Sequence, residues 1–173
     1  FYSMKVFYEE QKFNQSLVYI GLSISLIAVI FSILSEWKKN IDASLGDYIS
    51  AFLGLFILVM VIILFLVLKL QTKIDETGVK YKFYPFQVSY KNIDWSNISE
   101  CYIRNYNPIS EFGGWGIKGD FSKQTGKAYT TKGTIGLQMT LKNGKKILIG
   151  TQKKEEIKRV LETYKHKYTR NEL

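Results

Sequence analysis

Residues Thr134 to Tyr168 read TIGLQMTLKNGKKILIGTQKKEEIKRVLETYKHKY. Two apolar runs, TIGLQMTL and KILIGT, flank Asn143-Gly144, and an Asn-Gly pair between apolar strands signals a hairpin because both central turn positions need positive φ. After the second run the period changes. Ile157, Val160, Leu161, Tyr164 and Tyr168 fall at i, i+3, i+4, i+7 and i+11, a single apolar stripe on a helix. Thr151 is placed to cap that helix, Glu155 and Glu156 suit the positive end of its dipole, and Lys165, His166 and Lys167 suit the negative end. The stretch therefore predicts a hairpin followed by a helix whose apolar stripe covers the open end of a β core.

The chain before it reads the same way. KLQTKIDETGVKYKFYPF gives two strands joined near Glu76-Thr77-Gly78, with Val79, Tyr81, Phe83 and Pro85 alternating against Lys80, Lys82 and Tyr84. QVSYKNIDW gives a third strand and a turn, ISECYIRNY (Ile98 to Tyr106) a fourth, and GKAYTT the first of three final strands. Together these make a small antiparallel β domain of about seven strands with one C-terminal helix.

Further toward the N-terminus the composition changes. No residue between Lys12 and Glu36 is charged, and SLVYIGLSISLIAVIFSIL (Ser16 to Leu34) is long enough for a bilayer core of about 30 Å at about 1.5 Å per residue. A second uncharged run, YISAFLGLFILVMVIILFLVL (Tyr48 to Leu68), is apolar all round, as lipid exposure requires. A cleaved leader would want a basic start, a shorter apolar run and a small-residue cleavage site, whereas MKVFYEEQKFNQ mixes both charges and FSILSEWKKN has no such site. The expectation is a retained two-helix hairpin, with segments 1–15, 16–70 and 71–173. Phe1 to Ser3, ahead of Met4, are left out of the fold reading.

Charge sets the expected orientation. The loop between the helices carries Lys38 and Lys39, whereas Lys5, Lys12, Lys69, Lys73, Lys80 and Lys82 lie on the other side, six against two. Basic flanks mark the cytoplasmic face, so both termini are expected there. From Lys69 onward the chain has 20 Lys or Arg against 10 Asp or Glu, a basic surface facing an anionic leaflet. A single cysteine, Cys101, excludes an intrachain disulfide and fits a reducing compartment.

The stretches FYEEQKF, YNPISEFGGWGIKG and GLQMTLKNGKKILIGTQKKEEI are similar to those of a group of bacterial membrane proteins that join a two-helix hairpin to a domain resembling the pleckstrin-homology (PH) fold. The resemblance implies an α+β chain, a transmembrane hairpin followed by a PH-like antiparallel β barrel or sandwich, in the bacterial cytoplasmic membrane. It carries no activity over.

Gly114-Trp-Gly116-Ile-Lys-Gly119 is a literal G-x-G-x-x-G. A dinucleotide fingerprint must follow a strand and open a helix, and DFSKQTGKAYTTKG has no helical period. A kinase reading lacks the H-R-D and D-F-G segments. In QTGKAYT, Ala128 stands where a phosphate loop needs Ser or Thr, and the glycine spacing is six rather than four. The glycines are read instead as a wide loop, with Trp115 either folded over the domain or projecting as an anchor.

Chemistry-bearing residues are sparse. His166 is the only histidine, so a catalytic dyad or a multi-histidine metal site cannot be built in one chain. Cys101, alternating with Tyr102 and Ile103, reads as a core thiol; Asp94, Glu100, Glu111 and Asp120 show no acid and base pairing. No enzyme, cofactor, metal or nucleic-acid role is expected. Two readings remain. In one the chain is an interaction module, a scaffold, accessory or assembly subunit of a membrane complex or a homo-oligomer, docking through Phe112, Trp115, Ile117 and Phe121. In the other it binds anionic membrane lipids through Lys142, Lys145, Lys146, Lys153 and Lys154, although the first hairpin turn, IDETG, is acidic where lipid-binding PH domains are basic.

Overall fold

A computed structural model describes residues 5–39, 44–119 and 126–168. In chain order the elements are β1 (Phe7–Lys12), α1 (Ser16–Lys39), α2 (Leu45–Val67), β2 (Lys69–Asp75), β3 (Gly78–Tyr84) and β4 (Lys91–Asp94). There follow β5 (Ile98–Asn105), α3 (Pro108–Phe112), β6 (Gly116–Gly119), β7 (Lys127–Thr130), β8 (Ile135–Leu141), β9 (Lys146–Gly150) and α4 (Lys154–Tyr168). The chain forms two compact units, a helical one over Asn14–Val67 and a β unit made of Phe1–Phe13 with Leu68–Leu173.

Both helices of the first unit are long and apolar enough to cross a membrane: Ser16–Ser35 has a mean hydropathy of 2.6 and Leu45–Val67 of 3.1. Against the expected limits of 16–34 and 48–68, α1 ends five residues later, and α2 begins three residues earlier and ends one residue sooner. α1 runs on through polar residues to Lys39. α2 begins at Leu45 because Ser44 and Asp47 cap it reciprocally: the Ser44 N–H and hydroxyl donate to Asp47 Oδ2 at 2.9 and 2.8 Å, and Asp47 N–H donates back to Ser44 Oγ at 3.4 Å.

Of the expected antiparallel barrel or sandwich of about seven strands, the β unit forms two sheets and, among the described residues, no closed barrel. Among the described residues it has nine strands in two open sheets, one in the order β1-β2-β3-β4 and one in the order β5-β8-β9-β7-β6. The second sheet is mixed, because β7 runs parallel to β9. Tyr81 and Tyr129 pack across the two sheets with ring centroids 4.6 Å apart.

The segment before the first helix belongs to this unit and not to a separate stretch 1–15. β1 pairs with β2 in antiparallel register from Phe7↔Ile74 to Lys12↔Lys69, and Phe13 N–H donates to Leu68 O at 3.1 Å. Burial alternates along β1, so Phe7, Glu9, Gln11 and Phe13 face the core while Tyr8, Glu10 and Lys12 face out. The helical hairpin is thus an insertion between two neighbouring strands.

α4 matches its expected stripe: Ile157, Val160, Leu161, Tyr164 and Tyr168 are all buried. Tyr164 and Tyr168 stack on buried Trp95 at 5.6 and 5.5 Å, and the Trp95 indole N–H donates to Asp75 O at 3.0 Å. Thr151 is not the helix cap, since α4 starts at Lys154. Its hydroxyl accepts from Lys153 N–H and donates to Glu9, which fixes the junction of β9 and α4 to β1.

Candidate functional site

The stretch NPISEFGGWGIKG builds a small helix and then an edge strand. Asn107 Oδ1 accepts from the N–H groups of Ile109 and Ser110, both at 3.0 Å, and Pro108 starts the helix where no donor is needed. Glu111 accepts from Asn107 N–H at 2.7 Å and pairs with Arg104 at 2.7 Å. That hydrogen bond from Arg104 holds the Glu111 carboxyl below the usual range. Gly113, at φ 68, ends the helix: its N–H donates to Ile109 O, and Gly114 N–H donates to Pro108 O.

The glycine motif therefore opens no helix. Gly116–Gly119 is β6, antiparallel to β7 and the edge of its sheet. Space around Gly113, Gly114 and Gly116 is open, and what these positions require is positive φ.

Trp115 folds back onto the domain. Its indole N–H donates to Gly133 O at 2.9 Å, and the half-buried ring lines an open cleft of about 520 Å³ with Asn105, Tyr106, Asn107, Pro108, Ile109, Glu111 and Thr134. Ile109, 69% exposed, stands at its rim, and Ile117, 41% exposed, lies on β6 nearby in sequence. Phe112 is not available for docking. It is buried with Tyr106, Ala128 and Leu148, its ring edge-on to Tyr106 at 6.1 Å. Phe121 falls outside the described residues. Of the expected docking residues the structure thus leaves Trp115 and Ile117 at the surface, and adds Ile109. Burial pushes the Tyr106 hydroxyl in the cleft floor up to about 12.

The five lysines do not form one face. All are exposed, but Lys142, Lys145 and Lys146 surround the β8–β9 turn while Lys153 and Lys154 lie past the other end of β9. Lys142 N–H donates to Asn97 O at 3.0 Å, and Asn97 closely follows Asp94, which pairs with Gly78 at the β2–β3 turn. Those three lysines therefore lie on the turn side of the first sheet, away from the end where Lys12 and Lys69 pair. Lys153 is engaged, at 2.9 Å from Glu156 and 3.4 Å from Tyr8 O.

One constellation escaped the sequence reading. Buried Glu9 accepts from the Thr151 hydroxyl at 2.6 Å and from Gln152 N–H at 2.8 Å. Buried Gln11 donates to Gly150 O at 2.7 Å and accepts from Thr131 at 3.0 Å. These bonds bind the strand before α1 to the ends of β9 and β7. The signal was the alternation of FYEEQKF, masked because its inward face carries two polar residues. Among the described residues no three His, Cys, Asp or Glu side chains gather as a metal-binding group. Compared with protein-family models, curated proteins and solved structures, the chain matches none of them.

Proposed function

We propose that this chain is a membrane-anchored interaction module of PH-like type, a scaffold or assembly subunit of a bacterial membrane complex, with both termini on the cytoplasmic side. The observation that carries the reading is the pairing of Lys12 with Lys69 across the inserted helices. A domain whose first two strands flank the hairpin is held to its anchor by two chain connections and a strand ladder, an arrangement suited to presenting a surface at a defined place beside a membrane. The six basic residues on that side, against Lys38 and Lys39 at the far end of α1, support the cytoplasmic orientation.

The cleft beside Trp115 is the surface best suited to a protein partner. It combines an aromatic wall, exposed Ile109 and the carboxylate of Glu111, itself paired with Arg104, the mixture of apolar anchors and polar edge that interfaces use; exposed Ile117 follows Trp115 by two residues on β6. The alternative, an anionic-lipid sensor at Lys142, Lys145, Lys146, Lys153 and Lys154, draws less support because these residues are divided between the two ends of β9.

The test is native purification of the full chain with identification of co-purifying membrane subunits, beside Ile109→Asp and Ile117→Asp variants. Both side chains are exposed, so the variants should fold; loss of specific subunits in either supports the reading. Equal recovery from parent and variants removes the cleft from it.

A further inference from the structure

Four large apolar side chains crowd the β3–β4 connection: Tyr84 is 38% exposed, Phe86 62%, Val88 81% and Tyr90 40%. The loop that carries them has a defined shape. Gln87 N–H donates to Phe83 O at 2.9 Å, and Gln87 Oε1 accepts from Phe83 N–H at 3.2 Å. The Tyr90 hydroxyl donates to Gln71 Oε1 at 3.1 Å across the outer face of the sheet.

The loop's position follows from register. Tyr84 pairs with Lys69, and Lys69 pairs with Lys12. The loop therefore leaves the sheet at the end from which the chain departs for α1 and returns from α2. Leu68 alone separates Val67 from Lys69, so chain length by itself keeps Tyr84 within on the order of 10 Å of the end of α2, at about 3.5 Å per residue and about 4.8 Å per strand. α2 is apolar to its last residue and has no basic group in its last turn. The first charge after it, Lys69, marks the boundary between hydrocarbon and headgroups.

We infer that Phe86 and Val88, flanked by Tyr84 and Tyr90, insert into the headgroup region of the same bilayer that the two helices span. The inference rests on the membrane-anchored reading above. Tyrosine and phenylalanine are suited to this zone, apolar bodies with or without a polar tip. The surrounding charge fits anionic phosphates: the Lys82 ammonium lies 4.9 Å over the Tyr90 ring, Lys12 is exposed at the same end of the sheet, and exposed Lys91 follows the loop directly, opposite Tyr81. The loop would thus act as a third attachment point, limiting how far the β unit can tilt from the membrane surface.

The test uses the full chain in vesicles of phosphatidylcholine and phosphatidylglycerol, with one fluorophore at Val88→Cys, Asn143→Cys or Ile57→Cys. Cys101 is buried, and the parent chain carried through labelling gives the blank. Label at position 88 should be quenched severalfold more than at 143 by lipids with a nitroxide near the headgroup, and shielded from iodide. If position 57 is quenched by deep nitroxide lipids while 88 behaves like 143, the loop inference is overturned and the anchor reading stands. Position 88 shielded from iodide without lipid quenching overturns it in favour of a protein contact. If position 57 itself escapes lipid quenching, the spanning helices and the loop inference fall together.

Discussion

The hydroxyl of Thr151 donates a 2.6 Å hydrogen bond to the carboxylate of Glu9, 142 positions earlier in the chain. Glu9 is 3% exposed and Thr151 2%, so neither has water as an alternative partner. The bond joins the strand that enters the first helix to the start of the C-terminal helix. Glu9→Ala leaves the Thr151 hydroxyl and the Gln152 N–H without their acceptor. It should lower stability by about 2 to 4 kcal/mol, read by urea unfolding of the full chain in detergent with tryptophan fluorescence as the signal. Glu9→Gln, which keeps one acceptor, should cost about half as much. Equal stability of all three would mean β1 is not integral to the fold.

Acid should act through Asp75. Burial opposes its ionised form, but hydrogen bonds from the Thr77 hydroxyl and N–H and from Lys80 outweigh it and hold the carboxyl well below its ordinary range. A group lowered on folding stabilises above its unfolded pKa, about 4, and that contribution is lost as pH falls through the folded value. The melting temperature should therefore drop progressively below pH 4. Asp75→Asn should melt lower at pH 7 and lose less between pH 5 and pH 2. An unchanged acid profile in the variant would assign the loss elsewhere.

Trp115 distinguishes a structural lid from a docking anchor. Its ring is half-buried and its N–H is bonded to Gly133 O, so Trp115→Ala should cost about 1 to 3 kcal/mol, less than a fully buried tryptophan. Trp115→Phe should recover most of this. Differential scanning fluorimetry of the two variants checks the order, and a loss as large as about 5 kcal/mol would make the residue core.

Burial pushes the Cys101 thiol up to about 12, which keeps the reactive thiolate scarce at neutral pH. The native chain should resist iodoacetamide at pH 8 and react fully after unfolding in guanidinium. Rapid labelling of the folded chain would contradict the packed position on β5.

What the sequence made legible is what carries a long or distinctive period. α4 announced itself by five residues at helical spacing, all of which are buried. The β8–β9 turn did so by Asn143-Gly144, where Gly144, at φ 80, sits in a turn closed by its N–H to Leu141 O. The missed elements are short or chemically disguised. α3 has five residues and β6 four, with glycine at both ends of the latter. β1 hides Glu9 and Gln11 among its inward positions, and their partners at Gly150, Thr151 and Gln152 lie at the far end of the chain. The expectation of a wholly antiparallel barrel or sandwich did not include the mixed sheet, because the parallel pairing of β7 with β9 is a long-range choice that local alternation cannot encode. Phe112 read as a surface aromatic because it adjoins glycines, yet the turn at Gly113 directs the chain so that its ring packs against Tyr106.

The membrane orientation is most directly tested by topology reporters in the full chain. Fusions of alkaline phosphatase and of green fluorescent protein at Asn40, in the helix loop, and at Leu173, at the end of the β unit, report opposite faces of the bacterial cytoplasmic membrane. Phosphatase activity at Asn40 with fluorescence at Leu173 is the expected result, given Lys38 and Lys39 at the far end of α1 against Lys5, Lys12, Lys69, Lys73, Lys80 and Lys82 on the β-unit side of the helices. Fluorescence at Asn40 with phosphatase activity at Leu173 would contradict a cytoplasmic interaction module, and the same face at both positions would contradict the two-helix anchor itself.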